Sequence, residues 1–407
     1  MSTGALERPG RVGGRADDGG LGRRQVHAVA ACYFVASFAA LGLPPYLTEI
    51  LPALGDPEGR WAGLLYIVPT VFSALGAPLW GRLADRFGRK RLLLRAQLGL
   101  TVSFLLAGAA NSLPAFTAAL VLQGFLGGTF AATNGYLGAA LRGTELSRAL
   151  TLMQGSARAA LVAAPVLVGA LSPWVGPHRQ YLLMAVLPLA AAVLLAFLPE
   201  PARPAGAGAD GGRVAAAGQP AGLLRLLYLF EFAFVFATIV SFPYLIALVE
   251  RRLPGVSGTV SGVLFALPHL VYLLTAGRVH RLFHHRPRTG LFTAFVLVGL
   301  GLAGHGAAQG LPGLVLPGLV LARAVLGAGM TLGLVCLSVL AAAAAEGRPP
   351  GRMFGTLELV SKGGAVAAGA VAAAVNGAFG PTAPVLAGTA AAASAAALVL
   401  LTRWSPR

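Results

Sequence analysis

The chain has 407 residues, 56% of them hydrophobic and only 11% charged, where soluble domains carry about 25% charged residues; water is excluded as its main solvent. The 31 Lys and Arg outnumber the 14 Asp and Glu, for a net charge of +17, yet the basic residues stand in short clusters without the aromatic interleaving of a nucleic-acid surface, so no nucleic-acid partner is expected. The excess is loop charge, because a cation at the centre of a membrane helix costs roughly 2.5–3.5 kcal/mol.

Residues 1–25 are rich in Gly, Arg and Asp and lack periodicity, which predicts a disordered tail. Apolar runs follow at 26–51, 60–81, 92–111, 114–141, 149–172, 179–198, 222–249, 259–279, 290–310, 312–345, 353–378 and 382–402, most of them long enough to cross about 30 Å of hydrocarbon. The first run continues past Arg23-Arg24 without a small-residue exit, so it is expected to stay as an anchor. The stretch 199–221, with Pro201, Pro204, Gly211, Gly212 and Gly218, suits a flexible linker and divides the twelve runs six and six, 26–198 and 222–407. Cys32 and Cys336 each fall inside an apolar run with no second Cys or His at ligand spacing, and His284-His285 suits a solvated loop, so neither a metal nor another cofactor is expected.

Alternate loops differ in charge. Placing the amino terminus inside collects Arg8, Arg11, Arg15, Arg23, Arg24, the cluster Arg82 to Arg95, Arg142, Arg148, Arg203, Arg213, Arg225, Arg278, Arg281, Arg286, Arg288, Arg348, Arg352, Arg403 and Arg407 on one side, and leaves Arg60, Arg179, Arg251 and Arg252 on the other. Both termini are expected to be cytoplasmic. Arg158, Arg323 and Lys362, with the acidic Glu231 and Glu358, are stranded within runs and become functional candidates.

The halves echo each other. Leu126-Gly127 matches Leu326-Gly327, Pro45-Tyr46-Leu47 matches Pro243-Tyr244-Leu245, and Gln154 with Arg158 matches Glu358 with Lys362, each pair four apart. Three matches in order predict an internal repeat. In such a repeat Arg158 and Lys362 both face a central cavity, and paired cations favour an anionic substrate; alternatively Arg158 neutralises Glu231 or Glu358, and Lys362 pairs with Glu358 one turn earlier. Arg323 either contacts substrate or bonds exposed carbonyls, with the cavity preferred. Glu231, Glu358 and His269 are the groups able to exchange a coupling proton, His269 having a competing role in helix packing. Gln123, Asn134 and Tyr136 add polar groups that either bind substrate or join neighbouring helices. Gly42, Pro44 and Pro45, and the matching Phe242-Pro243-Tyr244, are expected to bend their helices, with Tyr46 and Tyr244 lining an outer cavity.

Gly81-Arg82-Leu83-Ala84-Asp85-Arg86-Phe87-Gly88-Arg89-Lys90 resembles the signature loop between the second and third helices of the major facilitator superfamily. The resemblance implies an all-α membrane protein of twelve helices in two pseudo-symmetric six-helix bundles, and a role for Gly81, Asp85, Arg86, Gly88 and Arg89 in latching the halves during alternating access. The corresponding Gly277-Arg278-Val279-His280-Arg281 lacks the acid. Two family patterns are incomplete: Gln123 stands where many proton antiporters have Arg, and Ala164-Pro165-Val166-Leu167-Val168-Gly169 keeps only part of an exporter element. Gly42-Leu43-Pro44-Pro45-Tyr46 and Ala131-Ala132-Thr133-Asn134-Gly135-Tyr136 also resemble exporters of carboxylate-type siderophores.

With no ATP-binding loop, these features predict a secondary, proton-coupled exporter of a small polar or anionic organic molecule, such as a siderophore, working as a monomer in the bacterial cytoplasmic membrane. A multidrug efflux antiporter and an organic-acid uptake symporter are the alternatives; a membrane-embedded enzyme or sensor lacks a catalytic constellation.

Overall fold

The computed structural model describes residues 21–141, 143–198, 221–307, 313–345 and 350–402. The expected disordered tail and 199–221 linker fall almost entirely outside them.

Hydrocarbon offers no hydrogen bonds, so an apolar run must satisfy its backbone internally, and it does so as helix. The described residues form twelve crossings in the expected order: span 1, Arg23–Leu54; span 2, Ala62–Phe87; span 3, Arg89–Ala109; span 4, Leu113–Leu126 and Thr129–Ala140; span 5, Gly143–Leu171; span 6, Pro177–Met184 and Val186–Ala196; span 7, Ala221–Ile239 and Leu245–Arg252; span 8, Gly258–Phe283; span 9, Pro287–Ala307; span 10, Val315–Ala345; span 11, Pro350–Phe379; and span 12, Ala383–Leu401. Among the described residues ten helices are long and apolar enough to cross a membrane, and spans 2 and 4 are carried by the shorter apolar stretches Ala62–Ala77 and Leu113–Leu126. Large apolar side chains such as Leu75, Leu274, Leu321 and Leu401 are exposed on the outside, a surface that a bilayer rather than water would cover.

Interruptions follow the local chemistry. Prolines lack an N–H and clash with the preceding turn, and span 1 tightens into a 3-10 turn at Pro44–Tyr46, as span 7 does at Phe242–Tyr244. The two turns occupy the matching places of the repeated Pro-Tyr-Leu. Span 4 breaks at Gly127-Gly128, where Gly128 has φ 72°. At this φ a side chain is strained, which glycine avoids.

The signature segment departs from its expected turn. Gly81, Asp85 and Arg86 continue the helix of span 2, Gly88 alone leaves helical geometry with φ 96°, and Arg89 opens span 3. One residue in the left-handed region suffices to redirect the chain, so helix-compatible residues on either side remain helical. Arg86 is exposed, its guanidinium 5.3 Å from the Phe87 ring centroid. Beside it, Lys90 Nζ donates to Ala196 O at 2.8 Å, tying span 3 to the last helical residue of span 6, where a cation complements the helix dipole.

The buried cores reveal which end is closed. Val29, Cys32, Tyr33, Leu137 and Met153 form a core within the first half, and Phe230, Phe234, Phe295, Leu326 and Leu337 one within the second. A third core is shared: Leu43, Tyr46 and Ile50 pack with Val240, Tyr244, Ile246, Ala368 and Ala372. The shared core lies towards the ends of spans 1 and 7 that are remote from the termini, so the halves are joined there.

Candidate functional site

Between the halves is a cavity of about 650 Å3, lined mainly by spans 1, 2, 4 and 11, with Glu231 entering from span 7. Ala36, Ala40, Leu65, Pro69, Leu120 and Phe265 supply apolar wall; Thr70, Ser73, Gln123, Thr129 and Ser361 supply uncharged polar groups. Its charged lining among the described residues is Glu231, Glu358 and Lys362. Helical spacing commits Lys362 to Glu358, with Nζ 3.5 Å from Oε1 one turn away. Glu358 is largely exposed, so this pair contributes little to stability. Glu231 lies deeper, next to Ser361 and near Glu358, and no basic side chain forms an ion pair with it among the described residues. Two carboxylates against one ammonium make the lining formally acidic, a place for a cation or a proton.

The expected pair of cavity cations is not assembled. Arg158 is outside the lining; its Nη1 lies 3.5 Å from His269 Nδ1 and its guanidinium 5.3 Å from the Tyr272 ring centroid, joining span 5 to span 8. Arg323 is buried and spans the gap to the neighbouring helix, Nε donating to Leu264 O and Nη2 to Phe265 O, both at 2.7 Å. The reason is Pro268: it has no N–H to give to the carbonyl of Leu264 four residues earlier, and Arg323 supplies the donor instead. The cavity position preferred for Arg323 is therefore not the one it takes; its geometry is that of the carbonyl-binding alternative. His269 is likewise buried away from the lining, its ring packed against Phe242 and Phe265.

Span 4 brings a different group to the cavity. Its break places Gln123, Gly127, Gly128 and Thr129 in the lining. The carbonyls at the end of its first segment are taken from span 2 and span 3: Trp80 Nε1 donates to Phe125 O at 2.7 Å, and Arg95 Nη1 bonds Leu126 O, with the Arg95 guanidinium over the Trp80 ring. Arg95, assigned from charge alone to the cytoplasmic surface, is therefore a half-buried residue of span 3. A helix interrupted at membrane depth leaves carbonyls that need donors, and loop-charge counting cannot anticipate that need. Asn134 stands on the second segment of the same span, Thr129–Ala140. Thr129, Trp80 and Arg95 were not legible as site residues, although the Gly-Gly pair marks the break that gives them their work.

Tyr46 and Tyr244 do not line an outer cavity; they close it. The Tyr46 hydroxyl donates to Pro165 O at 2.6 Å, with Gly258 O of the other half at 3.2 Å. The Tyr244 hydroxyl accepts from Gly63 N–H at 3.1 Å and donates to Arg60 O at 3.0 Å, crossing in the opposite direction. The repeat that produced two Pro-Tyr turns thus produces two reciprocal fasteners. Tyr46→Phe with Tyr244→Phe is expected to raise labelling of an Ala62→Cys reporter, buried at this closure, roughly thirtyfold in a background lacking Cys32 and Cys336, each of the two lost fasteners being worth roughly 1 kcal/mol. Unchanged labelling by a membrane-impermeant maleimide would count against the fasteners.

Comparison with known proteins gives the same architecture. The family model described as Major Facilitator Superfamily matches residues 29–316. "Multidrug resistance protein MdtG" of Dickeya zeae (strain Ech586) is 29% identical over 263 residues, 62% of this chain and 64% of that protein; its namesake in Serratia proteamaculans (strain 568) is 34% identical over 168 residues, 40% and 39% of the two. The matches thus span less than two thirds of these relatives. Among solved structures, a POT family transporter in complex with 5-aminolevulinic acid superposes with TM-score 0.76 at 12% identity, covering 93% of this chain and 96% of that one. The human organic anion transporter MFSD10 (TETRAN) superposes with TM-score 0.63 at 21% identity, covering 93% and 99%. At these identities the structures share the fold. With its twelve crossings, shared core at one end and central cavity, this multi-pass membrane protein belongs to the major facilitator superfamily.

Proposed function

We propose that the protein is a proton-coupled exporter of amphipathic organic cations. The observation that carries this reading is Glu231: a carboxylate in a mostly apolar cavity, without an ion-pair partner of its own among the described residues. Apolar walls accept varied hydrophobic bodies, while a carboxylate at low dielectric selects positive charge. A proton and a cationic substrate compete for the same carboxylate, so binding one displaces the other, and a halves-rocking cycle converts that competition into exchange. The name borne by the MdtG relatives, multidrug resistance, supports this choice. The anionic siderophore anticipated from paired cations loses its ground, because Arg158 and Arg323 are engaged elsewhere and Lys362 faces Glu358. The basic loop clusters of the sequence favour the cytoplasmic face for both termini, and on this reading the fastened end is the outer one.

Purified protein in proteoliposomes under an imposed pH gradient should move tetraphenylphosphonium against its own gradient and leave citrate where it is. Gradient-driven citrate movement without movement of the cation would sink the reading.

A further inference from the structure

The two ends of the break in span 4 are treated unequally. The carbonyl end at Phe125 and Leu126 is bonded by Trp80 and Arg95. The amino end, opening at Gly128 before the twelve-residue segment Thr129–Ala140, has no side-chain cap among the described residues, so its first N–H groups keep their donor capacity at the positive end of the helix dipole. Gly127, Gly128 and Thr129 all line the cavity.

Two side chains at the same place are also short of partners. Gln123 is 7% exposed and Thr129 4%, and Gln123 Oε1 and Thr129 Oγ1 have no hydrogen bond among the described residues. A buried polar atom without a partner costs free energy that a bound group can return. Both residues line the cavity that also contains Glu231.

We propose that Gln123, Thr129 and the turn at Gly128 form a second polar subsite, which binds an uncharged group able both to donate and to accept, an amide or a hydroxyl, while Glu231 holds the cationic end of the same substrate. The proposal rests on the cation-export reading. It narrows the substrate class to amines that also carry such a group: Gln123 Oε1 takes the donor of the ligand, and the Thr129 hydroxyl and the helix end face its acceptor.

The test compares procainamide, a tertiary amine with an amide, and tetraphenylphosphonium, a cation with no hydrogen-bonding group, in proteoliposomes of the full chain. Thr129→Val keeps the shape of the side chain and removes the hydroxyl; it is expected to raise the ratio of the procainamide KM to the tetraphenylphosphonium KM roughly three- to tenfold, the value of one neutral hydrogen bond. Gln123→Leu should shift the ratio in the same direction, and Thr129→Ser should restore it. An unchanged ratio in both Thr129→Val and Gln123→Leu, or equal loss of both probes, overturns the subsite. If the unmodified protein moves both probes, that failure leaves cation export standing; if it moves neither, export of cations fails and the subsite with it.

Discussion

Glu231→Gln is expected to end gradient-driven tetraphenylphosphonium transport and to raise the KM for residual exchange by roughly ten- to a hundredfold. The carboxamide preserves size and the neighbourhood of Ser361 but carries no charge and does not titrate in the range where cells work. A charge-assisted contact is worth about 1.5–3 kcal/mol, and at 1.4 kcal/mol per factor of ten this gives the stated range. Two measurements separate binding from coupling. Equilibrium binding of the labelled cation reports the lost attraction; exchange of labelled for unlabelled cation, with no pH gradient, should lose its dependence on bulk pH, because the proton has lost its site. Glu358→Gln makes the contrast. That residue is largely exposed and already faces Lys362 at 3.5 Å, so solvent screens it and its loss is expected to weaken transport only a few-fold. A Glu231→Gln protein that still concentrates tetraphenylphosphonium under a pH gradient would remove Glu231 from the mechanism.

Gly169→Ala should arrest the cycle from the other end. Span 5 and span 8 cross where Gly169 faces Gly258 and Gly262 faces Pro165. A methyl group on Gly169 would overlap the Gly258 carbonyl and meet the Tyr46 hydroxyl, and backbone on both sides leaves no flexible side chain to move away. Overpacking of this kind costs about 1–3 kcal/mol, here charged to the fastened state alone, so the balance should shift roughly five- to a hundredfold towards an unfastened outer end. Transport falls, while Ala62→Cys labelling rises without addition of substrate. Wild-type labelling and wild-type turnover together would show that the outer closure tolerates the methyl group. The same contact explains why the partial exporter element at Ala164 to Gly169 retains its Pro and its glycine: Pro165 O receives the Tyr46 hydroxyl, and Gly169 permits the crossing.

Much of the architecture was legible in the chain because it follows from local rules. A run of about 20 apolar residues becomes a spanning helix whatever surrounds it, and proline interrupts it at a readable place, as at Pro44-Pro45 and Pro243. The signature segment from Gly81 to Lys90 was sufficient for the superfamily, though its turn shrank to Gly88. Glu231, Glu358 and Lys362 also stood out as charges within spans, since their cost at membrane depth demands an accounting, and all three line the cavity.

Where each side chain's partner lies is another matter. For Lys362 the pair with Glu358 one turn away was among the readings of the sequence, because it is local; that Arg158 faces His269 and that Arg323 bonds the carbonyls beside Pro268 depended on the helix opposite. Tyr46 and Tyr244 follow the same Pro-Tyr-Leu pattern whether they line a cavity or close it. The sequence by itself determined the solvent, the number of crossings, the proline bends of spans 1 and 7, and the family; the tertiary structure alone decided that the cavity lining is formally acidic, that the halves are fastened at one end, and that span 4 is broken and served by Arg95. Helix formation depends on residues within a turn or two of each other, whereas the partner of a buried charge such as Arg158 depends on which helix lies opposite, and that is set by the packing of spans more than a hundred residues apart in the chain.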